Sequence, residues 1–223
     1  MESSRINYLL AKGFGNQRVC SIAQTMSFLV RRIAALPRGT HGLKVIAISG
    51  PAASGKTTLA GLLSKSLERC LVVEMDRWRG ALTRPDITRE EFIEILGIDQ
   101  FRVDIAALIE QGRLERPPRL VVYKSYNQKR EYEENPLLLG DCTTILIVGI
   151  AVCYKKLAGL SQLKIDVGAC EQIRTQHKLQ RTLALPANAR LSSEFLEEAE
   201  LHVELVKHDL VYSYQIFERI KTW

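Results

Sequence analysis

The sequence predicts an α/β fold, a doubly wound and mainly parallel sheet with helices on both faces. Three observations carry that expectation. Short apolar runs of strand character alternate with segments of helical spacing, the order that lays parallel strands side by side beneath crossover helices. A glycine-rich nonapeptide joins one such strand to the next helix. The 223 residues, 46% hydrophobic and 25% charged, are enough for one domain with a real core rather than two.

Along the chain, residues 1–42 read as an N-terminal helical extension and linker. Ile22, Met26, Leu29, Val30 and Ile33 fall at near-helical spacing, and residues 37–42, Pro-Arg-Gly-Thr-His-Gly, have linker chemistry. The main domain then spans 43–223. Residues 44–49 are an apolar strand, and Leu59, Leu62, Leu63 and Leu67 mark a helix. Residues 70–75 form a second buried strand ending at Asp76. Thr88 with Glu91 is a capping box opening a helix that carries Phe92, Ile95 and Leu96. A further helix runs from about Phe101 through Leu108 and Ile109 and is closed by Gly112. Residues 120–123 and 144–149 are apolar strand runs, and 163–167 is a weaker one. Residues 171–183 are helical, Pro186 interrupts, and Ser192 or Ser193 caps an acid-rich helix from 194 to about 207. Residues 210–214 give a final short strand.

Bulk properties exclude several classes. No apolar run approaches the roughly 18 residues needed to span a bilayer, so no membrane partner is expected. Cys20, Cys70, Cys142, Cys153 and Cys170 are odd in number and contain no C-x-x-C pair, which argues against a disulfide framework or zinc site and for a reducing, cytoplasmic setting. His41, His177, His202 and His208 show no metal-ligand spacing. The net charge of +6 is uneven: the first forty residues carry Arg5, Lys12, Arg18, Arg31, Arg32 and Arg38 against Glu2 alone. A helix packed on the domain is the plain reading of that segment, and an Arg-rich organelle transit peptide is the alternative. Arg31 and Arg32 interrupt the one candidate signal-peptide core. A nucleic-acid arm is disfavoured, because no block of consecutive basic residues or aromatic interleaving appears. Self-association into a homo-oligomer stays open.

The nonapeptide Gly50-Pro51-Ala52-Ala53-Ser54-Gly55-Lys56-Thr57-Thr58 fits G-x-x-x-x-G-K-[ST], the phosphate-binding loop. Gly50 and Gly55 let the backbone curl so that successive N–H groups point inward at phosphate oxygens. Lys56 brings a point charge to the β- and γ-phosphates, and the Thr57 hydroxyl is placed to ligate Mg²⁺. Strand, loop and helix in that order aim the helix dipole at an anion. Gly50, Ala52, Ala53, Ser54, Gly55, Lys56, Thr57 and Thr58 are therefore the expected nucleotide-binding residues. The D-x-x-G and N-K-x-D signatures of GTPases are missing, and the strand Ile145 to Val148 runs into Gly149 without the acidic pair of helicase-type ATPases. The strand after the loop helix ends instead in Val72-Val73-Glu74-Met75-Asp76. An acid at the carboxyl end of that strand faces the ligand crevice of a doubly wound sheet, where it can accept a hydroxyl proton. A helix N-cap or surface loop is the competing reading of Asp76.

With those residues in place, the chain resembles the uridine kinase and phosphoribulokinase group of small-molecule kinases. Residues 45–60 look like its opening strand, loop and helix, and residues 70–78, ending Met75-Asp76-Arg77-Trp78, stand where that group has a strand ending in Asp-x-Phe-Tyr. The resemblance implies ATP and Mg²⁺ as cofactors and Asp76 as the base activating an acceptor hydroxyl. It implies that Tyr123, with Arg130 downstream, contacts the acceptor. Arg174, Lys178 and Arg181 would lie on a lid helix, within a lid around 171–192, closing over the phosphoryl group; a solvated basic helix face is their alternative. Asp99, in Asp99-Gln100-Phe101, stands for an Asp-His-Pro sugar contact. Four departures fall on the acceptor half: Arg79 replaces the Tyr, Val148 replaces a Glu before Gly149-Ile150, Gln100-Phe101 replaces His-Pro, and Gln128 lies near an expected His.

The expected function is ATP-dependent transfer of phosphate to a hydroxyl of a small metabolite. The catalytic residues are Lys56, Asp76, Arg174 and Arg181; Asp76, Asp99, Tyr123 and Arg174 meet the acceptor, and Thr57 holds the metal. The alternatives are a nucleotide-binding regulatory protein that has lost its acceptor site and a nucleic-acid end kinase using the basic N-terminal segment. Trp78, Tyr123 and Tyr126 could stack on a planar acceptor, though such aromatics usually pack.

Overall fold

A computed structural model describes residues 7–12, 18–20, 22–80, 87–115, 122–125, 128–130, 136–169, 171–183 and 214–220. Its elements in chain order are β1 (Asn7–Lys12), β2 (Arg18–Cys20), α1 (Ile22–Ala34), β3 (Lys44–Ser49), α2 (Lys56–Ser66), β4 (Cys70–Glu74), α3 (Arg89–Ile95) and α4 (Ile98–Gln111). Next come β5 (Arg113–Leu114), β6 (Val122–Ser125), β7 (Gln128–Arg130), β8 (Leu137–Leu138), β9 (Thr144–Val148), β10 (Leu163–Ala169), α5 (Glu171–Leu183) and β11 (Tyr214–Ile220).

The main sheet has seven strands in the order β2-β1-β11-β10-β3-β9-β4. From β11 to β4 every neighbouring pair is parallel, and β1 runs antiparallel to both β11 and β2. Strand alternation divides the core into two layers. On one face Val45, Ala47, Val73, Met75, Ile145 and Ile147 pack beneath α3 and α4 through Phe92, Phe101, Ile105 and Leu108. On the other, Ile46, Ile48, Leu146, Val148, Ile165 and Val167 pack beneath α1 and α2 through Leu29, Ile33, Leu59 and Leu63. Fully burying one such side chain contributes about 1.5–3 kcal/mol. The expected doubly wound, mainly parallel sheet with helices on both faces is the architecture found.

Local chemistry explains the element ends that position the crevice. Glu91 N–H donates to Thr88 Oγ1 at 3.2 Å and Thr88 N–H donates to Glu91 Oε2 at 2.7 Å, completing the capping box of α3. α4 begins after Gly97 at φ 64 and ends at Gly112 at φ 74, so glycine occupies the left-handed position at both ends.

Three expectations shift. The helix foreseen in residues 1–42 is α1, but β1 and β2 precede it and extend the main sheet. Their short runs carry little periodicity of their own; β1 depends on pairing with β11, and β2 on pairing with β1. The strand expected at 120–123 is observed as β6, paired with β7 in a separate hairpin rather than in the main sheet. The last strand runs from Tyr214 to Ile220, starting where the expected 210–214 strand ends, because pairing with β10 and β1 sets its register. The helix expected at 194–207, its serine caps, Pro186 and the part of the lid beyond residue 183 lie outside the described residues.

Candidate nucleotide and acceptor site

The C-terminal ends of β3, β9 and β4 stand side by side, with Ile48 beside Val148 and Val148 beside Glu74. The loop 50–55 rises from the first of these. Gly50 lies at φ 148, and a Cβ on it would meet the Val167 carbonyl oxygen of β10 at 2.0 Å and Ser54 Oγ at 2.8 Å. Only glycine lets the loop leave β3 so close to β10. Ala53 takes a left-handed φ of 59 and Gly55 one of 93. Gly55 caps α2 without a side-chain hydrogen bond, so the first amides of α2 retain the donor capacity that suits an oxyanion.

The loop's side chains are arranged around that helix start. Lys56 Nζ donates to the Pro51 carbonyl at 2.7 Å, folding the lysine back across the loop. Thr57 and Thr58 are exposed on the first turn of α2. Ser54 is only 1% exposed, and its Oγ has no hydrogen-bond partner among the described residues. An orphaned hydroxyl inside a glycine cradle, beside an uncapped helix start, fits a phosphate group. Pro51, Ala52 and Gly55 are half-exposed along the rim.

Asp76 sits in a single 3-10 turn, Met75–Arg77, that continues directly from β4, and it is exposed. The residues after it are held tightly. Trp78 is buried, meets Phe101 edge-on at 4.9 Å and 84°, and donates from Nε1 to Asp104 Oδ2 at 2.6 Å. It is a packing residue, which removes it as a stacking platform for an acceptor. Gly97 packs on its carbonyl, where a Cβ would lie 2.3 Å from the Trp78 oxygen, and Gly80 N–H donates to Ile95 O at 2.7 Å. The α3–α4 junction therefore fixes the turn that carries Asp76. Gly149, at the end of β9, has room for no side chain either, since a Cβ would lie 2.7 Å from that of Met75.

Asp99 lies on the first turn of α4 in an open cleft of about 500 Å³ lined by α3, Gly97, Tyr154 and Lys156. Its carboxylate faces Lys156 Nζ at 3.2 Å, an exposed pair of small net worth. α5 comes after β10 and buries Ile173, with Arg174, His177 and Lys178 half-buried along the same side. His177 Nδ1 lies 3.1 Å from the Ala53 carbonyl, which ties this helix to the phosphate loop. Arg181 is on the last turn of α5, and Tyr123 lies on β6, in the separate hairpin. Tyr126 lies outside the described residues.

No protein-family model matches the chain, and no curated protein sequence matches it. Solved structures do. A candidate fructose transport system kinase from Silicibacter superposes with a TM-score of 0.60 at 18% identity, over 83% of this chain and 95% of that one. A candidate uridine kinase from Bacillus stearothermophilus gives 0.52 at 20%, over 86% and 98%. A D-glycerate 3-kinase from Cryptococcus neoformans gives 0.53 at 12%, over 82% and 87%. The fold is that of the P-loop kinases.

Several residues of this P-loop fold were not singled out as site residues from the sequence. His177 lacks ligand spacing, and its contact with Ala53 spans 124 positions. Cys153 is fully buried behind Ser49; burial pushes its thiol up to about 12, Asp166 adds to the rise, and Lys164 and a hydrogen bond with Ser49 oppose it. Ser49 itself donates to the Ile150 carbonyl at 2.8 Å, stitching β3 to the turn after β9. Asp166 stands opposite Ser49 on β10, and the alternation of that strand was the one signal that could have placed it. Among the described residues no group of three or more His, Cys, Asp or Glu could hold a metal, and no helix is long and apolar enough to cross a membrane.

Proposed function

We propose that this protein is a phosphotransferase that moves the terminal phosphate of ATP to a hydroxyl of a small molecule. The observation that carries the reading is the juxtaposition of the loop 50–58 with Asp76, placed at the same end of the sheet on the strand two positions from β3. The shared fold with solved small-molecule kinases supports it.

On this reading each site residue takes a role. The amides of the loop and of the first turn of α2 bind the phosphates, with Ser54 Oγ supplying a buried partner. Lys56 exchanges its bond to Pro51 for phosphate oxygens, so its charge is held ready without being solvated. Thr57 is the residue that would hold Mg²⁺, which when bound neutralises phosphate charge. Asp76 orients the acceptor hydroxyl and accepts its proton as the new O–P bond forms. His177 ties α5 to the loop at Ala53, and Arg174, Lys178 and Arg181 of the same helix are assigned the positive charge beside the transferred group. Such charge is worth roughly 10³–10⁵ in rate where an arginine finger has been tested. Asp99 and Tyr123 are assigned to the acceptor. On this reading β1, β2 and α1, from residues 1–42, complete the sheet and core of the kinase domain whose phosphate loop and Asp76 lie within 43–223, and the protein acts in the cytoplasm.

The test is a metabolite panel incubated with ATP and Mg²⁺ and read by mass spectrometry for a gain of one phosphate. Transfer that disappears in Lys56→Ala and drops at least about a hundredfold in Asp76→Asn is expected. Full transfer by Asp76→Asn would remove Asp76 as the base. Tight ATP binding with no product from any acceptor would instead favour the regulatory alternative.

A further inference from the structure

We infer that His177 is a positioning residue for the nucleotide: from α5 it clamps the backbone of the phosphate loop at Ala53, so that docking of α5 and binding of nucleotide favour each other. This deepens the kinase reading above and rests on it for the identity of the loop's ligand.

The loop holds a conformation that its sequence does not favour. Ser54 N–H donates to the Pro51 carbonyl at 3.3 Å, closing a turn in which Ala53 stands third. Ala53 takes φ 59 there, a left-handed value that glycine adopts freely and a Cβ makes costly. It is also only 4% exposed, so its carbonyl needs a partner within the protein. His177 Nδ1, 3.1 Å away, is that partner. A carbonyl oxygen only accepts, so Nδ1 carries the proton. In the neutral ring Nε2 is then left as an acceptor, which offers nothing to a phosphate oxygen. The ring thus serves the loop's backbone.

Such a clamp matters because the cradle works only while N–H groups face the anion, and a carbonyl turned inward would repel it. Held by His177, the Ala53 carbonyl does not swing toward the phosphates, and Ser54 with its unpartnered Oγ follows it in a fixed place. The arm that carries the imidazole is anchored. α5 begins at Glu171, two residues after β10 ends at Ala169, and Ile173, one turn before His177, is buried. β10 also meets the loop directly, where the Val167 carbonyl leaves no room for a side chain at Gly50. One continuous unit, β10 with α5, therefore grips the loop at its first residue and again at its turn. A contact that restricts the loop before nucleotide arrives raises nucleotide affinity. By the same linkage a nucleotide that fixes the loop holds α5 in place.

The experiment measures binding of the non-hydrolysable analogue AMP-PNP with Mg²⁺ to the full chain by calorimetry, for the wild type and for His177→Ala, His177→Asn and His177→Gln. The amide nitrogen of Asn stands as far along the side chain as Nδ1, and that of Gln as far as Nε2. His177→Ala should weaken AMP-PNP about 3- to 10-fold, Asn should recover most of the loss, and Gln should not. Hydrogen exchange reads the reverse direction of the linkage. AMP-PNP should slow exchange of the α5 amides in the wild type and in His177→Asn, and this slowing should vanish in His177→Ala and His177→Gln. Unchanged affinity in His177→Ala, rescue by Gln equal to or better than that by Asn, or slowing that persists in His177→Ala would each overturn the inference. So would wild-type α5 amides that do not respond to AMP-PNP, a result that needs no variant. The kinase reading fails separately, if AMP-PNP binds with this pattern but ATP yields no phosphorylated product from the metabolite panel.

Discussion

Replacing Trp78 with Phe tests how the turn bearing Asp76 is held. The ring keeps its edge-on contact with Phe101, but the 2.6 Å bond from Nε1 to Asp104 is lost. A hydrogen bond to a charged group contributes about 1.5–3 kcal/mol, and shrinking a side chain only 7% exposed adds a packing loss of about 1 kcal/mol. Asp104 is not stranded, because Gln100 Nε2 still donates to its Oδ1 at 2.7 Å. Trp78→Phe should therefore cost about 2.5–4 kcal/mol in urea unfolding followed by circular dichroism, and lower Tm by roughly 5–16 °C. A double-mutant cycle with Asp104→Ala isolates the bond. The single changes should couple by about 1.5 kcal/mol, and phosphate transfer should fall with the loosened turn. Coupling below about 0.5 kcal/mol, with unchanged transfer, would show that Trp78 and Asp104 do not hold Asp76 in place.

Gly50→Ala should weaken binding of a fluorescent ATP analogue more than Gly55→Ala, since both positions hold a positive φ that strains a side chain but only the methyl at 50 also strikes the Val167 carbonyl; equal affinities would refute the loop geometry. Cys153 should resist iodoacetamide at pH 8 until urea is added, because burial raises its thiol from 9.0 to about 12 and leaves the thiolate scarce. Alkaline pH should also destabilise the fold. With Cys70 raised to about 11 as well, the unfolded chain loses these protons first, so stability should decline as pH climbs from about 9 through 11 to 12. Rapid labelling of Cys153 in the native protein would contradict its place behind Ser49.

The parts of this molecule that were legible in its sequence are those fixed by short-range chemistry. The loop 50–58, the Thr88–Glu91 capping box and the Gly112 stop each announce themselves within a few residues, because the same residues that spell the motif make its bonds. The parts that were not legible depend on partners far away. β1 has the strand-like content of many segments and acquires its place only through Ile220 to Gln215 across the sheet. The run at 120–123 was apolar enough for a central strand, yet β6 pairs with β7 alone. At the site, Lys56 and Asp76 were named from spacing, whereas the His177–Ala53 contact and the unsatisfied Oγ of Ser54 exist only once the chain has folded.

The antiparallel pairing of β1 with β11 makes assembly of the sheet wait on a strand synthesised much later. β1 leaves the ribosome well ahead of its partner, which emerges roughly 200 residues later. At 5–20 residues per second β1 would stay without that neighbour for about 10–40 s. During that interval β1 and β2 are a short ribbon with an open backbone edge, the kind of surface that pairs with the wrong chain. The five parallel strands also stay one short, because β10 gains its outer partner at the same moment. Once closed, the seam brings Asn7 opposite Ile220, so that the first and last described strands hold each other.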